Sequence, residues 1–338
     1  MKPFENMREW LERWGSAPQR KAFPILSFPA ASLLGVSVQE LISSAEMQAA
    51  GIAAVARRCD SLAAVSFMDL SVEAEAFGAE IRMAEDEVPT VVGHILSDAA
   101  DAQTLAVPPI GSGRTGICID AVRRAAELVQ DRPVFAGMIG PYSLAARLYG
   151  VTECMMACFD DPDAVHLVLR KVTDFLKSYA LAFKACGVHG VMMAEPVAGM
   201  LSPDMEEEFS APYVREIVEA VQDDGFLLIY HNCGDNTPEM LPSILSTGAA
   251  AYHFGNSVDL AEMLADIPEN VAVMGNIDPV GEFRHGSPES MGQAVRKLLD
   301  ACGGRRNFIL SSGCDIPPAC PWENIDAFFA AAKEYYEK

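Results

Sequence analysis

Apolar, strand-like runs alternate with helix-like stretches from about residue 60 to the end, and this predicts an α/β fold: a (β/α)8 barrel with an N-terminal helical extension. Three observations carry the expectation. Repeated strand–helix alternation implies parallel strands. Seven or eight such units favour a barrel over an open sheet. No GxGxxG fingerprint follows an early strand, which weakens a dinucleotide-binding fold. The chain has 338 residues, 50% of them hydrophobic, enough for one large core. It contains no linker, low-complexity tract or repeat, so residues 1–338 read as a single domain.

Residues 1–60 differ from the rest. Two helical stretches, about 4–14 and 37–57, flank a Pro- and Ser-containing segment, 22–36. Together they read as an extension packed on the barrel. Candidate strands follow at 63–67, 133–138, 188–194, 226–230, 250–254, 271–274 and 308–311. Periodic stretches rich in Ala, Leu, Val, Lys and Glu lie between them, such as 119–130, 162–186 and 205–223. Asp161-Pro162-Asp163 and Ser287-Pro288-Glu289 are helix entries, with Pro near the first turn and acids beside it.

Composition excludes several classes. No apolar run reaches about 18 residues, so no membrane span is expected, and the first ten residues lack the apolar core of a secretory signal. Nine scattered cysteines, an odd number without disulfide-like spacing, point to a reducing cytoplasm. A net charge of −22 argues against a nucleic-acid or anionic-membrane partner. It suits solubility, or an acidic face that selects a protein partner.

In a barrel of this kind chemistry sits on loops after the strands. The polar residues there are Asp69, Glu195, His231 with Cys233, Asn276 with Asp278, and Cys314 with Asp315. His231 and Cys233 stand two apart just past the run Phe226-Leu-Leu-Ile-Tyr230, and Cys314 follows Phe308-Ile-Leu310. Alternation puts i and i+2 on one side, so both can face one metal. Imidazole and thiolates are zinc ligands, and three of them leave an open position. Burial as core cysteines and a satisfied histidine is the competing reading. Glu195, in Met193-Ala-Glu-Pro-Val197, fits a fourth ligand, a substrate-binding acid or a helix cap. Asp69 fits an N-cap or a pocket residue.

Other motifs carry less. Gly111-Ser-Gly-Arg-Thr-Gly116 lacks the Lys-Ser/Thr ending of a P-loop and reads as a turn before a helix, with Arg114 able to reach an anionic group. Cys154 and Cys158 share a helix face and read as packing. Met192, Met193 and Met200 fit an apolar rim at the mouth. His94, His166, His189, His253 and His285 show no partner pattern.

The runs Tyr230-His-Asn-Cys-Gly-Asp-Asn-Thr-Pro238, Gly275-Asn-Ile-Asp-Pro279 and Gly313-Cys-Asp-Ile-Pro-Pro318 resemble the uroporphyrinogen decarboxylase superfamily. Within it they resemble the methylcobamide:coenzyme M methyltransferase branch. Phe67-Met-Asp-Leu-Ser-Val-Glu-Ala-Glu-Ala-Phe-Gly78 and Gly140-Pro-Tyr-Ser-Leu-Ala145 match further signatures, and the similarity spans about 20–338. The resemblance implies a TIM barrel, His231, Cys233 and Cys314 as Zn²⁺ ligands, a methylcorrinoid carried by a corrinoid protein, and a small-molecule thiol acceptor such as coenzyme M. It places Asp69 where the decarboxylases keep a catalytic aspartate, and Asp69 and Glu195 are the candidate catalytic acids. The decarboxylases hold the acetates of their substrate with an arginine-rich N-terminal motif. Here that stretch reads Phe23-Pro-Ile-Leu-Ser-Phe-Pro-Ala-Ala31, without arginine, which favours the methyltransferase branch. Homocysteine or tetrahydrofolate is the alternative acceptor. Charge points to a thiol: Zn²⁺, two thiolates and a neutral imidazole sum to zero, which leaves an added sulfur nucleophilic, whereas three neutral histidines suit water activation.

Overall fold

All seven apolar runs become strands of one sheet in the computed structural model, which describes residue 4, residues 6–17 and residues 19–337. The start of the chain considered for a signal, residues 1–3 and 5, lies outside the described residues. The strands are β1 (Ala64–Val65), β2 (Glu80–Arg82), β3 (Thr90–Val92), β4 (Val134–Ile139), β5 (Gly190–Ala194), β6 (Leu227–Asn232), β7 (Ala251–Phe254), β8 (Ala272–Ile277) and β9 (Phe308–Ser312). Seven form a parallel sheet in the order β1-β4-β5-β6-β7-β8-β9, with helices in the connections, as βαβ crossovers require. The other two strands, β2 and β3, lie outside it. They pair with each other as an antiparallel hairpin outside the sheet, a feature the sequence reading did not anticipate.

The sheet curls until both edges reach the same segment. Phe23 N donates to Leu310 O on β9 (2.8 Å), and Leu62 N, just before β1, donates to Ala22 O (2.8 Å). Ile25 N donates to Ser312 Oγ (3.0 Å). Pro24 has no N–H to give, so no regular ladder forms here. Residues 22–25 therefore belong to the sheet's perimeter, not to an appendage packed on it. The helix Met7–Ser16 is likewise inserted. Its Met7 and Trp10 are buried in one cluster with Phe23, Ile25, Phe135, Met192 and Ile229, and Met7 N donates to Asp224 O (2.6 Å). It plugs the interior at the N-terminal end of the strands.

Strand alternation separates two cores. Met192, Leu227 and Ile229 face the interior. Val191, Leu228 and Tyr230 pack outward against the helices. Met192 and Met193 are both fully buried, and of the three rim candidates only Met200 is exposed. The stretch 37–57 splits into Val38–Ile42 and Ala45–Arg58, because Ser37 and Ser44 each cap a helix of their own. The stretch 205–223 splits at Ser210 into Pro203–Phe209 and Ala211–Val221. No helix among the described residues is long and apolar enough to cross a membrane.

Candidate metal centre

β6 runs two residues further than its apolar core, so His231 is on the strand rather than past it, while Cys233 follows its end. His231 is buried and Cys233 half-buried. Cys314 lies two residues beyond β9. One ligand atom from each of the three comes within 4.8 Å of the others, and Cys314 Sγ is 3.4 Å from His231 Nε2. Strands β6 and β9 are three places apart in the sheet, so the curl brings the two loops together. Gly255 allows the close approach: a Cβ there would meet Cys233 Cα and Cβ at 2.6 Å. Among the described residues this is the one group of three or more His, Cys, Asp or Glu side chains with converging ligand atoms.

The thiols share a proton unevenly. A hydrogen bond from Cys314 holds the Cys233 thiol down to about 4 against burial. The same bond, together with burial, pushes Cys314 well up. Soft, converging donors with one thiolate already favoured fit Zn²⁺. Beside them is a cavity of about 60 Å³, walled by Ile25, Met68, Leu70, Ala194, Pro196, His231, Cys233, Cys314 and Asp315. Burial raises the Asp315 carboxyl well above the usual range, and Ser27 Oγ donates to it (3.3 Å). The cavity lies at the C-terminal ends of the strands, where barrel chemistry is expected.

Glu195 does not join the three. Its neighbours Ala194 and Pro196 face the cavity, and its own carboxylate turns away. Oε1 accepts from Tyr142 N (2.9 Å) and Oε2 from Ser143 N (2.8 Å), at the start of the helix Pro141–Tyr149. A Cβ on Gly140 would overlap the Glu195 carboxyl, so this contact accounts for the glycine in Gly140-Pro-Tyr-Ser. Burial raises Glu195 to about 7 despite these donors.

Asp69 is buried, and its Oδ1 accepts from Ser71 N (3.1 Å) and Ser71 Oγ (2.6 Å). Its Oδ2 pairs with Arg114 Nη1. Arg114 Nε also pairs with Glu75 (2.6 Å), so the arginine is committed to Asp69 and Glu75 rather than aimed at an outside anion. Asp69 does not line the cavity, although its neighbours Met68 and Leu70 do. Asn276 ties loops together, donating to Gly255 O (2.8 Å) and Val258 O (3.0 Å). Asp278 caps the turn Pro279–Arg284. Cys154 and Cys158 are buried, as their helix face predicts.

Sequence reasoning passed over two residues behind the cluster. His253 Nδ1 is 2.8 Å from His231 Nδ1, and its Nε2 is 2.8 Å from Ser311 Oγ. Burial and the neighbouring His231 hold His253 well below the usual histidine range. The available signal was a histidine inside an apolar strand run, which two-residue alternation turns inward.

The sequence pattern of the uroporphyrinogen decarboxylase (URO-D) family matches residues 11–335. The methylcobamide:CoM methyltransferase MtbA of Methanosarcina acetivorans is 29% identical over 271 residues, covering 79% of this chain and 78% of that protein. The uroporphyrinogen decarboxylase of Flavobacterium johnsoniae is 31% identical over 288 residues, 82% of each chain. In solved structures, a methyltransferase from Methanosarcina mazei superposes with a TM-score of 0.87 at 24% identity, covering 98% of this chain and 99% of the other. A B12-independent methionine synthase from Shewanella superposes at 0.64 with 13% identity over 95% and 96%. The family match over almost the whole chain means that this protein belongs to the uroporphyrinogen decarboxylase family.

Proposed function

We propose that this protein is a zinc-dependent methyltransferase that moves a methyl group from a methylated corrinoid protein to a thiol acceptor such as coenzyme M. The observation that carries the reading is the convergence of His231, Cys233 and Cys314 beside a cavity at the C-terminal ends of the strands. The likeness to proteins named methylcobamide:CoM methyltransferase supports it. When bound, zinc supplies deprotonation of the incoming thiol at neutral pH while leaving its sulfur nucleophilic. His231, Cys233 and Cys314 would hold the ion. Ile25, Met68, Leu70, Ala194 and Pro196 keep water from the reacting sulfur. With a methylcorrinoid as substrate, the methyl group would pass to the thiol sulfur, the corrinoid would leave with the bonding electron pair, and the thiol proton would be released to solvent. Glu195 and Asp69 act as positioning residues, fixing the ends of β5 and β1 around the cavity. The same reading takes residues 22–25 as the eighth stave of a (β/α)8 barrel, and the nine free cysteines fit a cytoplasmic protein.

Decarboxylation is the second reading, favoured by relatives named uroporphyrinogen decarboxylase. Against it, residues 22–31 contain no arginine and are all buried, so they offer nothing to neutralise a polycarboxylate. The test is methylcobalamin with candidate thiols, followed by the cobalt spectrum. Thiol-dependent loss of the methylcobalt band, abolished in Cys233→Ala, is expected. Coproporphyrinogen formation in a parallel assay supplied with uroporphyrinogen, without methyl transfer, would overturn the reading.

A further inference from the structure

The interior face of the strands carries a hydrogen-bonded chain that ends on the proposed metal ligand. His231, His253 and Ser311 occupy β6, β7 and β9, and all three are buried. Ser311 Oγ is 2.7 Å from Phe23 O and 2.8 Å from His253 Nε2. A carbonyl oxygen only accepts, so the single hydroxyl proton of Ser311 goes to Phe23. Ser311 Oγ must then accept from His253, which places a proton on His253 Nε2. His253 Nδ1 is left as an acceptor, 2.8 Å from His231 Nδ1. A second contact gives the same direction: His231 Nδ1 also lies 3.2 Å from the backbone carbonyl of His253, which again can only accept. Both routes put the proton of His231 on Nδ1 and leave Nε2 bare. Nε2 is the atom that faces Cys314 Sγ at 3.4 Å.

We infer that His253, Ser311 and the Phe23 carbonyl form a relay that sets the tautomer of His231, so that its Nε2 lone pair is ready for the metal before the metal arrives. Neither His253 nor Ser311 touches the ion; they are positioning residues. The rings of His231 and His253 meet edge to face at 4.7 Å and 74°, so the same contact also fixes the plane of the ligand ring. A metal-bound histidine is commonly oriented through its other ring nitrogen. Here the orienting group is a second histidine, and the far end of the chain is the N-terminal segment. The relay therefore couples the sheet's closing segment to the metal centre.

The inference rests on the metal reading for its purpose, but its chemistry can be read without metal. Nitrogen-15 NMR of histidine-labelled, reduced, metal-free protein should find His231 protonated on Nδ1 and His253 on Nε2. Zinc affinity, measured with zinc alone against a chromophoric chelator, should fall about 10- to 100-fold in Ser311→Ala and His253→Phe. His253→Gln, whose amide can accept from His231 and donate to Ser311, should recover most of that loss. A His231 protonated on Nε2 in the wild type, or unchanged zinc affinity in both relay variants, would overturn the inference. If a variant fails to fold, the wild-type tautomer still decides. If wild-type protein binds no zinc yet shows His231 protonated on Nδ1, the metal reading fails and the relay stands.

Discussion

Which way a side chain points decides what a strand-end carboxylate can do, and Glu195 and its two neighbours illustrate this. Ala194 and Pro196 face the cavity, while Glu195 closes the N-terminal turn of the next helix with both oxygens. The sequence marks a strand end before Pro196 but leaves cap, ligand and substrate acid equally open, because one residue of register exchanges the two faces. Glu195→Gln can accept only one of the two N–H bonds, so it should cost about 1–3 kcal/mol of stability, read by urea denaturation. Its zinc content should equal that of the wild type; a loss of zinc would make Glu195 a ligand. His231, Cys233 and Cys314 were legible for the opposite reason. Their residue types are restricted to few roles, and i, i+2 spacing on a strand fixes a shared side. Arg114 was misread as available, since a glycine-flanked arginine gives no sign that Asp69 and Glu75 hold it.

At the scale of elements, the seven strands of the parallel sheet were legible because each is a largely buried apolar run, whereas the exposed β2–β3 hairpin was not. Nor was the perimeter. Phe23, Ile25 and Ser27 bond to partners nearly 290 positions away, a separation no local pattern reveals, and Pro24 disguises the segment by interrupting its ladder. Two predictions belong here. Trp10, buried against Phe135 with ring centroids 6.3 Å apart, anchors the plug helix. Trp10→Ala should cost about 3–5 kcal/mol, measured as a lowered urea midpoint; an unchanged midpoint would mean that the helix is only loosely attached. Gly255 lets the loop after β7 pass beneath Cys233. Gly255→Ala should displace that thiol and weaken zinc binding in a protein whose circular dichroism is unchanged. Wild-type zinc affinity in this variant would show that the Cys233 loop is free to move.

For the whole molecule, three buried carboxyls set a pH dependence. Glu73, Glu195 and Glu206 are each raised to about 7, chiefly by burial. Below about 4.5 they are neutral in both folded and unfolded chains, and the stability they contribute is fully present. Between about 4.5 and 7 only the unfolded chain ionises, so stability should fall by about 1.4 kcal/mol per pH unit for each group, then level off above 7. Burial outweighs the nearby Ser243 hydroxyl in raising Glu206, so Glu206→Gln should flatten the slope. Urea midpoints at pH 5 and pH 7.5 check the sign, and a midpoint that rises with pH would contradict it.

The central claim is that His231, Cys233 and Cys314 hold a catalytic zinc. Elemental analysis of reduced protein purified without added metal tests it most directly. About one zinc per chain in the wild type, lost in Cys233→Ala, is the expected result. A reduced wild-type protein without zinc would contradict the claim and remove the basis for thiol activation.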